Sequence, residues 1–176
     1  LVSHCQQDSH RCSVMRFPTV LALASDLSAG RTTSRRLVEQ CLTRINDPKG
    51  EGARAFTKVY ADAALAEADA SDKLRALGVV RSPVEGIPIS VKDLFDVAGD
   101  RTLAGSKALR SAAPATADAP AVARLRAAGA IIVGRTGMVE FAFGGVGINP
   151  HYGTPKNPWD RASGGRIPGG SSSGAA

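Results

Sequence analysis

Asp118-Ala-Pro-Ala-Val-Ala-Arg-Leu-Arg-Ala-Ala-Gly129-Ala-Ile-Ile-Val133 is the stretch on which the fold class turns. Asp118 can cap a helix that carries Val122, Leu125 and Ala128 on one face, and Gly129 closes it. The apolar run Ile131-Ile-Val133 follows at once and reads as a buried strand. Helix, glycine and strand in this order form an α/β unit, in which a helix covers one face of a sheet.

Upstream, Ile87, Ile89 and Val91 alternate with Pro88, Ser90 and Lys92. That is a short strand with one apolar face, and the alternation puts Ser90 and Lys92 together on the other. Before Gly78 the period is helical. Val20, Leu23, Ala24 and Leu27 share a face over residues 19–28, with Gly30 as the stop. Thr32 or Thr33 can cap a second helix carrying Leu37, Val38, Cys41, Leu42 and Ile45, which ends before Asp47-Pro48; Cys41 reads as a core residue. Residues 50–57 read as loop, and the Ala-rich residues 60–77 as a third helix stopped by Gly78. Residues 99–117 read as loop, and residues 144–174 as a long irregular stretch of the kind that is usually functional in a compact domain.

The 176 residues, 43% hydrophobic and 22% charged, suffice for one domain with a real core. No internal repeat or linker divides them, so residues 15–176 are expected to form the N-terminal part of a single domain. Residues 1–14, polar and preceding the first methionine, Met15, are expected to be a disordered leader or translated upstream sequence. They have no signal-peptide h-region, and no apolar run reaches membrane-spanning length. The chain ends in small residues without a polar tail, which reads as an interruption.

Lys and Arg outnumber Asp and Glu by 22 to 16, a net charge of +6. The charges are scattered, with no stacking aromatics between them, so a nucleic-acid partner is not expected. Three cysteines at low density suit a reducing cytosol, hence a cytoplasmic location. His4, Cys5, His10 and Cys12 match no usual zinc spacing, and no metal is expected.

Two segments are candidates for chemistry. A lysine closing an apolar strand, as in Gly86-Ile-Pro-Ile-Ser-Val-Lys92-Asp93, reads two ways. It can snorkel to solvent, or be desolvated enough to be neutral and accept a proton. The run Pro168-Gly-Gly-Ser-Ser-Ser-Gly174 also reads two ways, as a flexible linker or as a nest of backbone N–H groups. It has no P-loop lysine, and the dinucleotide fingerprint is absent.

Taken together and in order, these segments resemble the amidase signature family. The Lys92 segment is similar to the family's lysine strand, and Thr102-Leu-Ala-Gly105-Ser106 to the loop after it. Gly129-Ala-Ile-Ile-Val-Gly134-Arg-Thr136-Gly-Met138-Val-Glu140-Phe141 resembles the helix-to-strand segment leading to the Met-x-Glu-Phe element. Asn149-Pro-His-Tyr-Gly153-Thr-Pro-Lys-Asn157-Pro158-Trp159-Asp160 resembles the approach to the signature, which begins at residues 168–174. The resemblance runs from about Val20 to the end. It departs from the common pattern at Gly137, often Asn, and at Ser173 and Ala175, usually Gly and Ser.

The resemblance implies an α/β fold, a mixed sheet flanked by helices, of which this chain is the N-terminal portion. It implies a catalytic set of a lysine, a serine on a cis peptide and a nucleophilic serine. By position Lys92 matches the lysine, and Ser171, joined to Gly170, the bridging serine. Ser172 and Ser173 are secondary candidates that hold the loop or touch substrate. The nucleophile and oxyanion hole belong to a downstream Asp-x-Gly-Gly-Ser loop, so the 176 residues alone are expected to be inactive. Asp93 either fixes the strand end or joins proton transfer, and His151 is expected to be structural or to line a substrate channel. The implied activity of the complete protein is hydrolysis of a small-molecule carboxylic amide through an acyl-serine, with no cofactor and with homodimer formation left open. The rival reading is the A subunit of the glutamyl-tRNA(Gln)/aspartyl-tRNA(Asn) amidotransferase. A third is a non-catalytic product of a truncated frame, which predicts a stop codon directly after Ala176.

Overall fold

The computed structural model describes residues 18–159, 161 and 164–175. The expected leader 1–14, with His4, Cys5, His10 and Cys12, lies outside the described residues, as do Met15 and Asp160. The described elements are α1 (Val20–Ser28), α2 (Ser34–Ile45), α3 (Gly52–Ala55), β1 (Phe56–Val59), α4 (Ala61–Ala76), β2 (Pro88–Lys92), α5 (Pro120–Ala127), β3 (Ile131–Thr136) and a 3-10 turn (Glu140–Ala142). The strands form one mixed sheet in the order β1-β3-β2, with β2 parallel and β1 antiparallel to β3.

Each face of the sheet is covered. Val38 and Leu42 of α2 and Ala64 and Ala68 of α4 pack on Ile131 and Val133. On the other side Val122 of α5 meets Val91, Val97 and Ile132. Leu27 of α1, Leu37 and Ile87 form a third cluster, which fastens the first helix to the start of β2. These are helix faces and a fully buried strand, as the periods require. Thr33 caps α2, its side chain accepting from Arg36 N at 3.1 Å.

Three expectations are corrected. Residues 50–57 are not loop: they hold α3 and the first part of β1, a four-residue strand at the sheet edge. Asp118 does not cap α5. Pro120 opens that helix with Ala119 in the cap position, while the Asp118 carboxylate accepts from Ala98 N at 2.7 Å and pairs with Arg126 at 3.0 Å. Cys41 is half-buried at the margin of the core rather than within it, and burial pushes its thiol above the ordinary value.

The approach to β2 is held by a buried carboxylate. Glu85 accepts from Ser71 Oγ at 2.7 Å and from both Nε and Nη2 of Arg81, and Arg75 Nη2 donates to its carbonyl at 2.8 Å. Burial pushes the Glu85 carboxyl up, but the Arg81 guanidinium and Ser71 hydroxyl outweigh it and hold it below its ordinary value of 4.5.

One irregularity decides which side chains reach which face. Ile89 pairs with Ile132 but Ser90 pairs with Gly134, so Val133 is an extra residue in β3. Strict alternation would place Arg135 beside Ile131 and Val133. The bulge places it instead opposite Val91, and places Thr136 opposite Lys92.

Candidate active site

Lys92 is the last residue of β2, and its Nζ donates to Ser171 Oγ at 2.7 Å, across 79 positions of sequence. Both residues are half-buried. The strand supplies the lysine because alternation turns residue 92 away from the face on which Val91 packs. The serine arrives on a segment without helix or strand, through a cis peptide bond between Gly170 and Ser171.

That segment is fastened by backbone bonds to the ends of β1 and β3 and to the loop beyond them. Val139 N donates to Ser171 O at 2.9 Å, Gly170 N to Gly145 O at 2.8 Å, Gly174 N to Gly137 O at 2.9 Å, and Gly137 N to Ala55 O at 2.8 Å. Glycine is required at two of these positions by close approach. A Cβ at residue 170 would lie 2.8 Å from Gly147 N and 2.9 Å from Gly144 O, and one at residue 174 would collide with Ala55 O. The Gly-rich run is therefore a packed element rather than a linker. At residue 137 the nearest atoms to a Cβ are 3.5 Å away, so the glycine there is not demanded by space.

The secondary candidates separate. Ser172 is exposed, and its carbonyl accepts from Ala175 N at 3.0 Å. Ser173 is 1% exposed, and its hydroxyl has no hydrogen-bond partner among the described residues. Neither is hydrogen-bonded to Lys92 or Ser171 among the described residues.

Asp93 is fully engaged. Its Oδ1 accepts from Arg135 Nε at 2.7 Å, its backbone N–H donates to Thr136 O at 3.0 Å, and its carbonyl accepts from Ala104 N at 2.9 Å. The carboxylate thus fixes the strand end. His151 contacts Glu140, Nε2 to Oε1 at 3.1 Å, and Glu140 also accepts from Ser106 Oγ at 2.6 Å. Among the described residues no side-chain hydrogen bond links this set to Lys92 or the Ser171 hydroxyl.

Two residues that carry the geometry were given no role in the sequence. Asn149 is buried; its Nδ2 donates to Gly105 O at 2.8 Å and Met138 O at 2.7 Å. Its Oδ1 accepts from His151 N at 2.8 Å and Tyr152 N at 3.0 Å. It joins the loop after β2, the loop after β3 and the turn at 149–152. Arg135 is the other, and its signal was visible: a cation inside the apolar run Ile131-Ile-Val-Gly-Arg-Thr136 demands a buried partner.

Among the described residues there is no group of three or more His, Cys, Asp or Glu placed to hold a metal. None of the described helices is long and apolar enough to cross a membrane.

Comparison with known proteins bears on the same residues. The family model described as Amidase matches residues 36–176. The AtzE component of the 1-carboxybiuret hydrolase of Pseudomonas sp. (strain ADP) is 48% identical over 149 residues, covering 85% of this chain and 32% of that protein. The A subunit of the glutamyl-tRNA(Gln) amidotransferase of Chromohalobacter salexigens is 43% identical over 162 residues, covering 92% and 32%. The native peptide amidase of Stenotrophomonas maltophilia superposes with a TM-score of 0.74 at 37% identity, over 88% of this chain and 32% of that one. The chain thus spans about a third of the length of the curated relatives it matches.

Proposed function

The chain belongs to the amidase family, and we propose that it supplies the proton-relay half of an enzyme that hydrolyses a small carboxylic amide through an acyl-serine. One observation carries the reading: Lys92 Nζ and Ser171 Oγ meet at 2.7 Å. An ammonium donates across that distance to the hydroxyl, and a neutral amine accepts from it. A base and its relay must stand this close.

In the proposed mechanism neutral Lys92 takes the proton of Ser171. Ser171 takes the proton of a nucleophilic serine supplied from the remainder of the protein as that serine attacks the amide carbonyl. The relay then runs backwards and delivers a proton to the leaving nitrogen as the C–N bond breaks, releasing ammonia or an amine. Water attacks the acyl-serine by the same route and yields the carboxylate. Ser172, exposed beside Ser171, is the secondary candidate able to touch substrate. A cytoplasmic site of action fits the free thiol of Cys41.

The test uses the complete protein and ammonia release from simple amides. Lys92→Met and Ser171→Ala should each lower kcat by about 10²–10⁴-fold, the usual worth of a positioned acid–base group. Wild-type turnover by either variant would sink the reading. Residues 1–176 expressed alone should give no turnover above blank.

The second reading, the A subunit of a tRNA-dependent amidotransferase, is favoured by identities of 41–45% to several such proteins. Co-purification with partner subunits, and ammonia delivered to a charged tRNA rather than released, would select it. A stop codon directly after Ala176 would select the non-catalytic product.

A further inference from the structure

We propose that Arg135 is a positioning residue for Lys92: through its buried pair with Asp93 it fixes the end of β2 so that the amine meets the Ser171 hydroxyl. The inference rests on the roles just given to Lys92 and Ser171.

The chain turns sharply away from the sheet immediately after Lys92. Leu94 N and Phe95 N both bond back to the Lys92 carbonyl, at 2.7 and 3.1 Å. A strand end followed by so tight a turn keeps its direction only if the turn is held. Arg135 holds it at three points. Its Nε donates to Asp93 Oδ1 at 2.7 Å, and its Nη2 to Phe95 O at 2.9 Å and Thr102 Oγ1 at 3.3 Å. The first residue after the base, the turn and the returning loop are thereby tied to one guanidinium.

The anchor itself is buried. The two side chains are 2% and 1% exposed, and Arg135 lies in β3 with backbone pairing to Val91 and Lys58. A pair this buried gives little net stability compared with apolar residues of equal volume. Its geometry is what an apolar pair could not supply, since a planar guanidinium fixes several acceptors at once. The bulge at Val133 is what makes it available. It puts the guanidinium opposite Val91, with Lys92 facing the other way, so Arg135 acts on the base through the backbone and not by touching substrate.

The experiment uses the complete protein. Arg135→Met, Arg135→Lys and the charge-neutral double variant Asp93→Asn/Arg135→Gln are compared with Arg126→Met, which breaks the two ion pairs of α5 with Glu67 and Asp118 and touches neither Lys92 nor Ser171. The first readout is inactivation by a serine-directed fluorophosphonate, normalised to the titre of active sites. Arg135→Met should lower the maximal inactivation rate by about 10–100-fold, the cost of an ångström-scale misplacement, with the concentration for half-maximal rate within about threefold of wild type. Arg135→Lys, keeping the charge and one bond to Asp93, should restore part of the rate. Arg126→Met should change neither quantity.

A general loss of stability would reduce the titre and leave the normalised rate intact, and that result overturns the inference. The second readout is a crystal structure of a folded variant. The Lys92 Nζ to Ser171 Oγ contact should open beyond hydrogen-bond reach in Arg135→Met, or in the double variant if the single one does not fold. An unchanged contact overturns the proposal. Should both fail to fold, Thr102→Val, which removes one of the three acceptors at a half-buried loop position, must still lower the normalised rate for the inference to stand. Lack of inactivation in wild type, or full inactivation in Lys92→Met, would instead strike at the relay itself.

Discussion

Gly170 owes its place to crowding rather than to catalysis. Its Cα faces the backbone of residues 144 and 147 at distances that leave no room for a methyl group. Gly170→Ala is therefore expected to push the serine segment off Gly145 and Gly147 and to lower kcat by about 100-fold or more. The complete protein should remain folded by circular dichroism, because the clash falls outside every described helix and strand. Ser172→Ala tests the exposed neighbour. If Ser172 bonds substrate, KM should rise by roughly 2–10-fold with kcat unchanged, the worth of one neutral hydrogen bond. At this scale the sequence was legible only in part. Lys92 and Ser171 could be paired by resemblance, since nothing in a strand-end lysine and a Gly-Ser run separately brings them together. Asn149 stayed silent because its work is done on backbone atoms of other loops, which leave no local pattern. Arg135 stood out as a cation in an apolar run, but the sequence did not name its partners.

Elements were read well where a period had room to express itself. Leu23, Ala24 and Leu27 of α1, the amphipathic α2, the Ala-rich α4 with its glycine stop, and the apolar runs of β2 and β3 stand where the spacing put them. Val20 of α1 and Leu125 of α5, read on the apolar faces, are instead exposed. β1 has only four residues, no run of alternation, and Lys58 exposed on it, so it reads as loop until β3 pairs with it. Asp118 looked like a cap by type, but Pro120 sets the helix start and leaves the carboxylate to Arg126 and Ala98. The bulge after Ile132 defeated strict alternation for a related reason: an extra residue is a property of the pair of strands, not of either one. Thr33→Ala should cost about 1 kcal/mol in chemical denaturation, the ordinary worth of an N-cap side chain.

Glu85 gives the elements a pH signature. Its carboxyl is held below its ordinary value in the folded protein. Its contribution is thus fully present above the unfolded value near 4.5 and lost as pH falls through the lower folded value. Glu85→Gln should destabilise the protein by about 2 kcal/mol at neutral pH. It should also flatten the fall of Tm below pH 4.5, so an acid limb as steep as wild type would contradict this account.

For the molecule as a whole, the sheet and its two helical layers were foreseeable as an α/β arrangement, and the mixed order β1-β3-β2 makes it concrete. The composition gave no hint of where apolar surface remains uncovered. Phe141, Phe143 and Ile148 line one cleft beside the serine segment, and Phe143 is 93% exposed. A patch of that kind marks a contact surface. Residues 1–176 expressed alone should bind a hydrophobic dye such as ANS, and Phe143→Ser should reduce the signal; an indifferent dye response would argue against the patch.

The strand that carries Lys92 is an outer member of the sheet among the described residues, because β3 lies on only one side of it. Ser90 at its middle thus has no sheet neighbour on that side among the described residues, where a further strand could add. On the proposed reading, this makes the stretch one piece of a split enzyme. On the proposed reading, co-expression with a separate polypeptide that supplies the nucleophilic serine should give reassembly by strand addition and turnover. Fusing the two pieces to proteins that meet only on command would then report their meeting as released ammonia.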